Sequence, residues 1–185
     1  ATRLDSTGTL LSQMVKWGEG ARKRAITDPA TGLFNRRFYD ESLDGIVRRA
    51  EVEGATLGLA MFDLDRFGSL NKEYGAAFGD RLIVESAAAF RRVFAATDIL
   101  VRYGGDEFAF LLPGRDAASA LERCRAVNEE IRSLRFAEHP ELRLTCSLGL
   151  AVFPTHARTL AELKDKADKA LYRAKQGGRD RTEAG

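Results

Sequence analysis

Apolar residues recur every three or four positions in several segments of the chain, the spacing that places side chains on one face of an α-helix. In the segment after Asn35, Phe38, Leu43 and Ile46 share such a face, and Asn35 is a suitable cap for the first turn. The pattern predicts helices over residues 1–27, 36–53, 116–136 and 160–176, the last of them ending at a Gly177-Gly178 stop. Between residues 66 and 94 it predicts two helical pieces, broken at Gly75 and Gly79, of which the second runs from Asp80 to Phe94.

Three other segments carry the short, mostly apolar runs that are typical of β-strands. Residues 56–65 read TLGLAMFDLD, an apolar strand that ends in acid, and residues 101–112 read VRYGGDEFAFLL, two apolar runs around a Gly-Gly turn. Residues 142–153 supply a third strand segment. Helices mixed with strands, a hairpin among them, favour an α+β or mixed α/β fold over a purely parallel sheet.

The composition is that of a globular protein with no marked preference for nucleic acid or lipid. The chain of 185 residues suffices for one domain with a short appendage, and its net charge of +2 is too small to indicate binding to nucleic acid or an anionic membrane. No apolar run approaches the roughly 18 residues of a membrane span. Cys124 and Cys146 lack metal-ligand spacing, so we expect reduced thiols in a cytoplasmic protein. Because the chain begins with alanine rather than methionine, we also expect a fragment of a longer protein.

The turn of the predicted hairpin is acidic. Asp106 and Glu107 are adjacent and repel each other, so the turn is either simply solvated or faces a cation. A second acidic group, Asp63-Leu64-Asp65, ends the first predicted strand, and in a strand Asp63 and Asp65 point to the same face. Oxygen ligands of this kind suit Mg²⁺. Asp65 as a helix cap and Asp63 as an exposed side chain fit the same sequence.

The two acidic groups are more informative together. If the strand before Asp63 pairs with the hairpin, Asp63 lies beside Asp106 and Glu107, and such carboxylates need a cation or protons to be stable. This arrangement is typical of metal-dependent phosphoryl or nucleotidyl transfer. The chain has no GxxxxGK[ST] or HExxH motif, and no GxGxxG after a strand, to indicate another chemistry. Lys175 and Arg179, near the end of the last helix, would offset the charge of a triphosphate or simply the helix dipole.

Five motifs, in the same order, resemble those of the GGDEF family, the diguanylate cyclases. The sequence GGDEF itself follows Arg-Tyr at residues 104–108. DPATGLFNRRF resembles the family's opening D-x-x-T-G-L-x-N-R-R, and FDLDRFGSLNKEYGAAFGD resembles its D-x-D-x-F-K-x-x-N-D-x-x-G-H-x-x-G-D block. SLGLA and ADKALYRAKQGGRDR resemble its closing elements. The resemblance covers residues 28–181.

This resemblance implies both a fold and a reaction. The fold is a central, mostly antiparallel sheet wrapped by helices, related to the class III nucleotide cyclases and the polymerase palm. The reaction joins two GTP molecules into cyclic di-GMP and releases two pyrophosphates. Each subunit of a homodimer presents one GTP, so that a ribose 3′-oxygen attacks the partner's α-phosphate. Two Mg²⁺ ions per active site are implied, with Mn²⁺ as a substitute.

The resemblance also assigns roles to individual residues by position. Asp63 and Glu107 would hold the metal ions together with the Leu64 carbonyl. Asp106, also counted in the metal site, would be the catalytic base for the 3′-hydroxyl. Asn71 and Asp80 would read the guanine edge, and Lys175 and Arg179 would contact the terminal phosphates. The whole set expected to bind substrate is Phe67, Gly68, Asn71, Asp80, Gly104, Gly105, Lys175 and Arg179.

The sequence departs from the family pattern at three places. Phe67-Gly68 replaces Phe-Lys, which removes a cation from the phosphates; the loss of such a group typically costs roughly a hundredfold in rate. Lys72 and Ala76 replace an aspartate and a histidine of the same block. In the product-inhibition motif R-x-x-D, Ala95 replaces the arginine although Asp98 is retained, so we expect a degenerate allosteric site.

Other functions fit parts of the sequence. A catalytically weak or silent GTP-binding sensor module is consistent with Gly68. A product-binding effector is disfavoured by Ala95, and the synthesis of mixed purine cyclic dinucleotides is disfavoured by Asp80.

We divide the chain into an N-terminal helical stalk, a catalytic domain and a tail, at residues 1–27, 28–181 and 182–185. The apolar stripe of Leu10, Met14 and Trp17 predicts that the stalk either pairs with a second copy as a coiled coil or folds back on its own domain. The expected partners are GTP, a second copy of the chain and an upstream sensory domain, without nucleic acid and without membrane contact by this fragment.

Overall fold

The structure is a computed structural model that describes residues 25–185. The helical stalk predicted over residues 1–27 lies almost wholly outside these residues. Residues 25–185 form five helices and one six-stranded sheet. In chain order the elements are β1 (Phe34–Asn35), α1 (Arg36–Glu53), β2 (Leu57–Leu64), α2 (Phe67–Tyr74), α3 (Ala76–Val93), β3 (Ile99–Arg102), β4 (Glu107–Pro113), α4 (Ala117–Ser133), β5 (Cys146–Phe153), α5 (Leu160–Gln176) and β6 (Arg181–Ala184).

Most of the predicted elements are confirmed, and four boundaries need correction. Helix α4 ends at Ser133 rather than at residue 136. Gly79 lies inside α3 and does not break it, so only Gly75 separates α2 from α3. The third predicted strand begins at Cys146, four residues later than expected. The predicted tail 182–185 contributes most of β6, which pairs in parallel with β5.

The sheet is mostly antiparallel, as expected. Its strand order is β1-β3-β4-β2-β5-β6, and the central strand β2 pairs antiparallel with both β4 and β5. The hairpin β3–β4 is antiparallel, whereas β1 and β6 pair in parallel at the two edges. This order places the hairpin directly beside the strand that ends in acid.

Both faces of the sheet are buried, which explains why β2 reads as a continuous apolar run. One face is covered by α3 and α4, and there Phe62 contacts Phe90 and Phe108 at ring-centroid distances of 4.9 and 5.5 Å. The opposite face is covered by α1 and α5, against Leu59 and Met61. None of the helices formed by residues 25–185 combines the length and apolar character that a membrane span needs.

Gly149 in β5 allows α5 to lie unusually close to the sheet. A Cβ atom at this position would be 2.0 Å from the backbone nitrogen of Leu171 and 2.2 Å from the carbonyl oxygen of Ala167. Because a backbone cannot yield as a side chain can, any larger residue would push α5 away. The glycine therefore sets the distance between the sheet and the helix that carries Lys175.

Candidate active site

The pairing of β2 with its neighbours gathers the acidic residues at one end of the sheet. Asp63 lies directly opposite Glu107 of β4 on one side and Ser147 of β5 on the other. The backbone nitrogen of Leu64 donates to the carbonyl oxygen of Asp106 at 3.3 Å. The predicted proximity of Asp63, Asp106 and Glu107 is therefore confirmed.

The turn of the hairpin is held by its backbone. The nitrogens of Tyr103 and Gly104 both donate to the carbonyl oxygen of Glu107, at 2.8 and 3.0 Å. A Cβ atom at Gly104 would lie 2.8 Å from Oε2 of Glu107, and one at Gly105 would meet no atom within 4 Å. Gly104 thus leaves room for the Glu107 carboxylate, and the turn is open at Gly105.

The three carboxylates are partly buried, and the pKa of Asp106 is shifted. Burial, and then the adjacent carboxylate of Asp63, raises the pKa of Asp106 to about 7. Lys175 supplies the compensating charge, since its ammonium forms an ion pair with Oδ2 of Asp63. At near-neutral pH and without a cation, Asp106 therefore holds a proton for a large part of the time.

Asp63 is suited to a further cation. Its Oδ1 is buried and accepts no hydrogen bond from an N–H group or from a Ser, Thr or Tyr hydroxyl, and such a carboxylate oxygen is costly unless a ligand or the proton of Asp106 completes it. Within residues 25–185, however, no group of three or more His, Cys, Asp or Glu side chains is gathered as a preformed metal site. The expected ligand set, Asp63, Asp106 and Glu107 with the Leu64 carbonyl, therefore lies at one end of the sheet without forming a preformed cluster of three carboxylates, and it would need the backbone oxygen as well.

A second unpartnered buried oxygen, Oδ1 of Asn71, lies in α2. A Cβ atom at Gly79 would be only 1.7 Å from this oxygen, so the glycine provides the space in which the amide rests against α3. Asp80 follows Gly79 and is exposed. This arrangement places an amide and a carboxylate at one junction of α2 and α3.

Phe67 and Gly68 form the first turn of α2. The Phe67 side chain is half-buried against the core. Gly68 is exposed, and a Cβ atom there would meet nothing within 4 Å. The position that carries lysine in the family pattern is thus open to a longer side chain.

Lys175 and Arg179 lie at the end of α5 but in different surroundings. Lys175 is half-buried beside Asp63, whereas Arg179 is exposed in the turn after the helix, with φ at 64°. The structure therefore brings Lys175, but not Arg179, into contact with the acidic residues.

Asp65 does not have the role that the helix-cap alternative gave it. Arg66 precedes α2 and no side chain caps that helix. Asp65 is buried, and its carboxylate accepts hydrogen bonds from the hydroxyls of Thr145 and Ser147 and from the backbone nitrogen of Asp180. Sequence reasoning missed this set, because its members come from three separate segments of the chain.

Arg102 was also missed, although its position just before Tyr103 and the glycine pair was a signal. Its guanidinium pairs with Asp28 at 3.2 Å and donates to the carbonyl oxygens of Gly104 and Gly105. Asp28 in turn accepts hydrogen bonds from Thr31. The start of the domain is therefore tied directly to the acidic turn.

The region of the degenerate inhibition motif is closed by a salt bridge. The side chain of Asp98 is fully buried and accepts from the backbone nitrogen of Ala95 at 2.8 Å and from Arg115 at 3.0 and 3.2 Å. Ala95 itself is exposed. Asp98 thus has structural partners of its own in this chain.

The chain is similar to known proteins over most of its length. The family model described as "Diguanylate cyclase, GGDEF domain" matches residues 25–181. The diguanylate cyclase DgcP of Pseudomonas aeruginosa is 38% identical over 171 residues, which are 89% of this chain and 25% of that protein. This chain therefore spans about a quarter of the length of that relative.

Solved structures are similar over most of the chain. The GGDEF domain of DgcB from Caulobacter crescentus, crystallised with c-di-GMP, is 34% identical with a TM-score of 0.80, and the match covers 86% of this chain and 95% of that one. The coiled coil and GGDEF domain of the same protein gives a TM-score of 0.84 at 31% identity, covering 97% of this chain and 95% of that one.

Proposed function

The chain belongs to the GGDEF-domain family of diguanylate cyclases, and on that premise we propose that it condenses two GTP molecules into cyclic di-GMP with release of two pyrophosphates. One observation carries the proposal. Asp63, with a buried carboxylate oxygen that lacks a partner, lies opposite Glu107 and beside Lys175. Carboxylates and a cation in this order suit a metal-bound polyphosphate.

Asp63, Glu107 and the Leu64 carbonyl would hold two Mg²⁺ ions, with Mn²⁺ as a substitute. The ions would supply Lewis-acid stabilisation of the charge that develops on the phosphates. Asp106 would accept the proton of the ribose 3′-hydroxyl. Its pKa is about 7 in the absence of a cation, and a bound cation would lower that pKa, so that Asp106 is ionised near neutral pH and able to accept the proton.

The guanine base would bind at the junction of α2 and α3. The unpartnered Oδ1 of Asn71 is an acceptor, and the carboxylate of Asp80 is a second acceptor nearby in sequence. Guanine offers N1–H and an amino group, whereas adenine presents an acceptor at N1, so two acceptors favour guanine. Lys175 and Arg179 would contact the terminal phosphates, and the glycines of the turn would admit the nucleotide.

The reaction needs two active sites, since the product contains two nucleotides. We therefore propose that two copies of the chain face each other, helped by residues 1–27, of which the structure describes only 25–27. The related structure with a coiled coil is consistent with such pairing. The similar diguanylate cyclase SiaD from Pseudomonas aeruginosa was solved with its activator SiaC, which is consistent with control by another protein or domain. An upstream sensory domain would set the pairing, and the cytoplasm, which supplies GTP, would be the site of the reaction.

The test is incubation of the protein with GTP and Mg²⁺, followed by identification of the product by mass. We expect cyclic di-GMP and pyrophosphate, with specific activity that rises with protein concentration. Glu107→Gln should abolish turnover while the fold is kept, and Glu122→Gln, at an exposed position of α4, is the matched control. GTP binding without any product would indicate the silent sensor module instead, and near-normal turnover by Glu107→Gln would exclude the metal assignment.

A further inference from the structure

Strained backbone is concentrated around one buried side chain, Asp65. In residues 25–185, the non-glycine residues with positive φ are Arg66 at 58°, Arg179 at 64° and Asp180 at 48°. Arg66 follows Asp65 in sequence, and Asp180 donates its backbone N–H to Oδ2 of Asp65 at 2.9 Å. Residues other than glycine rarely adopt a positive φ unless the surrounding structure holds the backbone there, and such strain tends to occur at functional sites.

The Asp65 carboxylate is fully engaged. Its Oδ1 accepts from the Ser147 hydroxyl at 2.7 Å, and its Oδ2 accepts from the Thr145 hydroxyl at 2.8 Å in addition to Asp180. The Asp65 backbone nitrogen also donates to the carbonyl oxygen of Thr145 at 3.0 Å. With both oxygens occupied by N–H and O–H donors, Asp65 is not available as a metal ligand, although it lies only two residues after Asp63.

The turn that Asp65 holds is the one that carries Arg179. On one side, the Arg179 nitrogen donates to the carbonyl oxygen of Ala174 at the end of α5, at 2.9 Å. On the other side, the Asp180 carboxylate accepts from Nε of Arg132 in α4 at 2.7 and 2.9 Å. The Arg179 side chain itself is exposed. Its position is therefore set by the anchored backbone around it.

We propose that Asp65 is a positioning residue for nucleotide binding, which clamps the Arg179–Asp180 turn so that Arg179 is held ready for the terminal phosphates. The inference rests on the proposed function, because it deepens the account of the same site. The clamp acts only on the phosphate end of the nucleotide. A guanidinium on an unclamped turn would have to be ordered when the ligand binds, which weakens binding.

The experiment is a double-mutant cycle of Asp65→Asn and Arg179→Ala, measured by calorimetry with Mg²⁺. The probes are GTP with a methylene group between the α- and β-phosphorus atoms, which cannot undergo the reaction, and GMP, which lacks the terminal phosphates. Asparagine keeps the shape of aspartate but lacks its charge, so the bonds that Thr145 and Asp180 donate to Oδ2 lose their charge-assisted strength.

We expect each single variant to bind the triphosphate analogue about tenfold more weakly and GMP within about twofold of wild type. The double variant should be about as weak as either single one, since both changes remove the same interaction. Ser147→Ala, which removes a partner of Oδ1 and leaves the Asp180 bond intact, is the matched control and should bind the analogue nearly as wild type does.

Several results would overturn the inference. Equal weakening of GMP and the analogue by Asp65→Asn, additive losses in the double variant, or a loss in Ser147→Ala as large as in Asp65→Asn would each indicate a merely structural role. Failure of the wild-type protein to bind the analogue would overturn the proposed function as well. If Asp65→Asn does not fold, Asp180→Gly loosens the same turn, because it removes the ion pair with Arg132 and gives the backbone the freedom of glycine. This variant should weaken the analogue selectively; unchanged binding would show that holding the turn does not matter for the phosphates, which refutes the clamp.

Discussion

Lys175, near the end of α5, forms an ion pair with Oδ2 of Asp63, at the end of β2. The two side chains are 35% and 15% exposed, so the pair is partly screened from solvent. The other oxygen of Asp63 has no hydrogen-bond partner. In the absence of a nucleotide, Lys175 thus neutralises the charge of Asp63, the carboxylate that we propose as a metal ligand. When the metal and the triphosphate bind, Lys175 would leave Asp63 and form an ion pair with a phosphate instead.

Replacement of Lys175 by methionine tests this exchange. We expect Lys175→Met to raise the KM for GTP by about tenfold or more, because a charge-assisted contact to phosphate is lost. Binding of Mg²⁺ or Mn²⁺ alone should become tighter, since no lysine competes for Asp63. Lys169→Met is the control, because Lys169 lies on the same helix in an exposed pair with Asp165. Weaker binding of the bare metal by Lys175→Met would contradict the exchange.

The raised pKa of Asp106 predicts an unusual pH dependence of stability. Because the pKa is about 7 in the folded protein and 3.8 as the reference value, the folded protein binds more protons than the unfolded chain between these values. The free energy of unfolding should therefore fall as the pH rises from about 4 to about 7. Asp106→Asn should remove this fall and stabilise the metal-free protein by about 1–2 kcal/mol at pH 8, allowing for solvent screening.

Urea denaturation from pH 4 to pH 8, without metal or nucleotide, measures this effect. Asp44→Asn, at an exposed position of α1, should leave the pH dependence of wild type unchanged. A parallel pH dependence of wild type and Asp106→Asn would show that Asp106 is not the group responsible.

Gly79→Ala should impair recognition of the base without unfolding the domain. The new methyl group would displace the amide of Asn71, whose Oδ1 lies 1.7 Å from the position of that Cβ. Because the amide is the end of a flexible side chain, we expect little loss of stability and an increase of about tenfold in the KM for GTP. Gly45→Ala in α1, where a Cβ meets nothing within 4 Å, is the matched control. It should stabilise the protein by up to about 1 kcal/mol with an unchanged KM.

Gly68→Lys should increase the rate of product formation. The position is open, and the lysine would supply the cation that the family pattern has there. Stabilisation of charge in the transition state by one such group is worth roughly tenfold to a hundredfold in kcat. Gly68→Met, which has a similar length and helix propensity but no charge, separates the electrostatic effect from a change in the stability of α2. Equal activation by both variants would rule out the charge as the cause.

Cyclic di-GMP should not inhibit through the Ala95–Asp98 motif. The motif lacks its arginine, and the Asp98 carboxylate is already engaged by Arg115 and by the backbone of Ala95. Calorimetry should therefore show no binding tighter than about micromolar, or about −8 kcal/mol. Tight binding that is lost in Asp98→Ala would disprove this expectation.

The sequence by itself determined the helices and the strands β2 to β5, because the spacing of apolar side chains is a local property, but it did not indicate the edge strands β1 and β6. It also indicated that Asp63 lies at the end of a strand and that Asp106 lies in the turn of a hairpin, although Glu107, which was placed in the same turn, is the first residue of β4. Its motifs carried the resemblance to a family, and with it the expected roles of the acidic residues. The limits of α1 and α5 were predicted correctly for the same local reason, since each has a clear cap or stop.

Only the tertiary structure decided which of these elements are neighbours. The spacing within a strand shows which face a side chain lies on, but not which strand will pair with it, and the register that sets Asp63 opposite Glu107 joins residues far apart in the chain. The same reason explains the errors. From the sequence, Gly79 was predicted to break the helix, whereas in the structure it is a glycine because the Asn71 side chain occupies the space beside it. From the sequence, Asp65 was interpreted as a possible helix cap. Its real hydrogen-bond donors, the Thr145 hydroxyl and the Asp180 backbone N–H, are distant in sequence and approach Asp65 only in the folded chain.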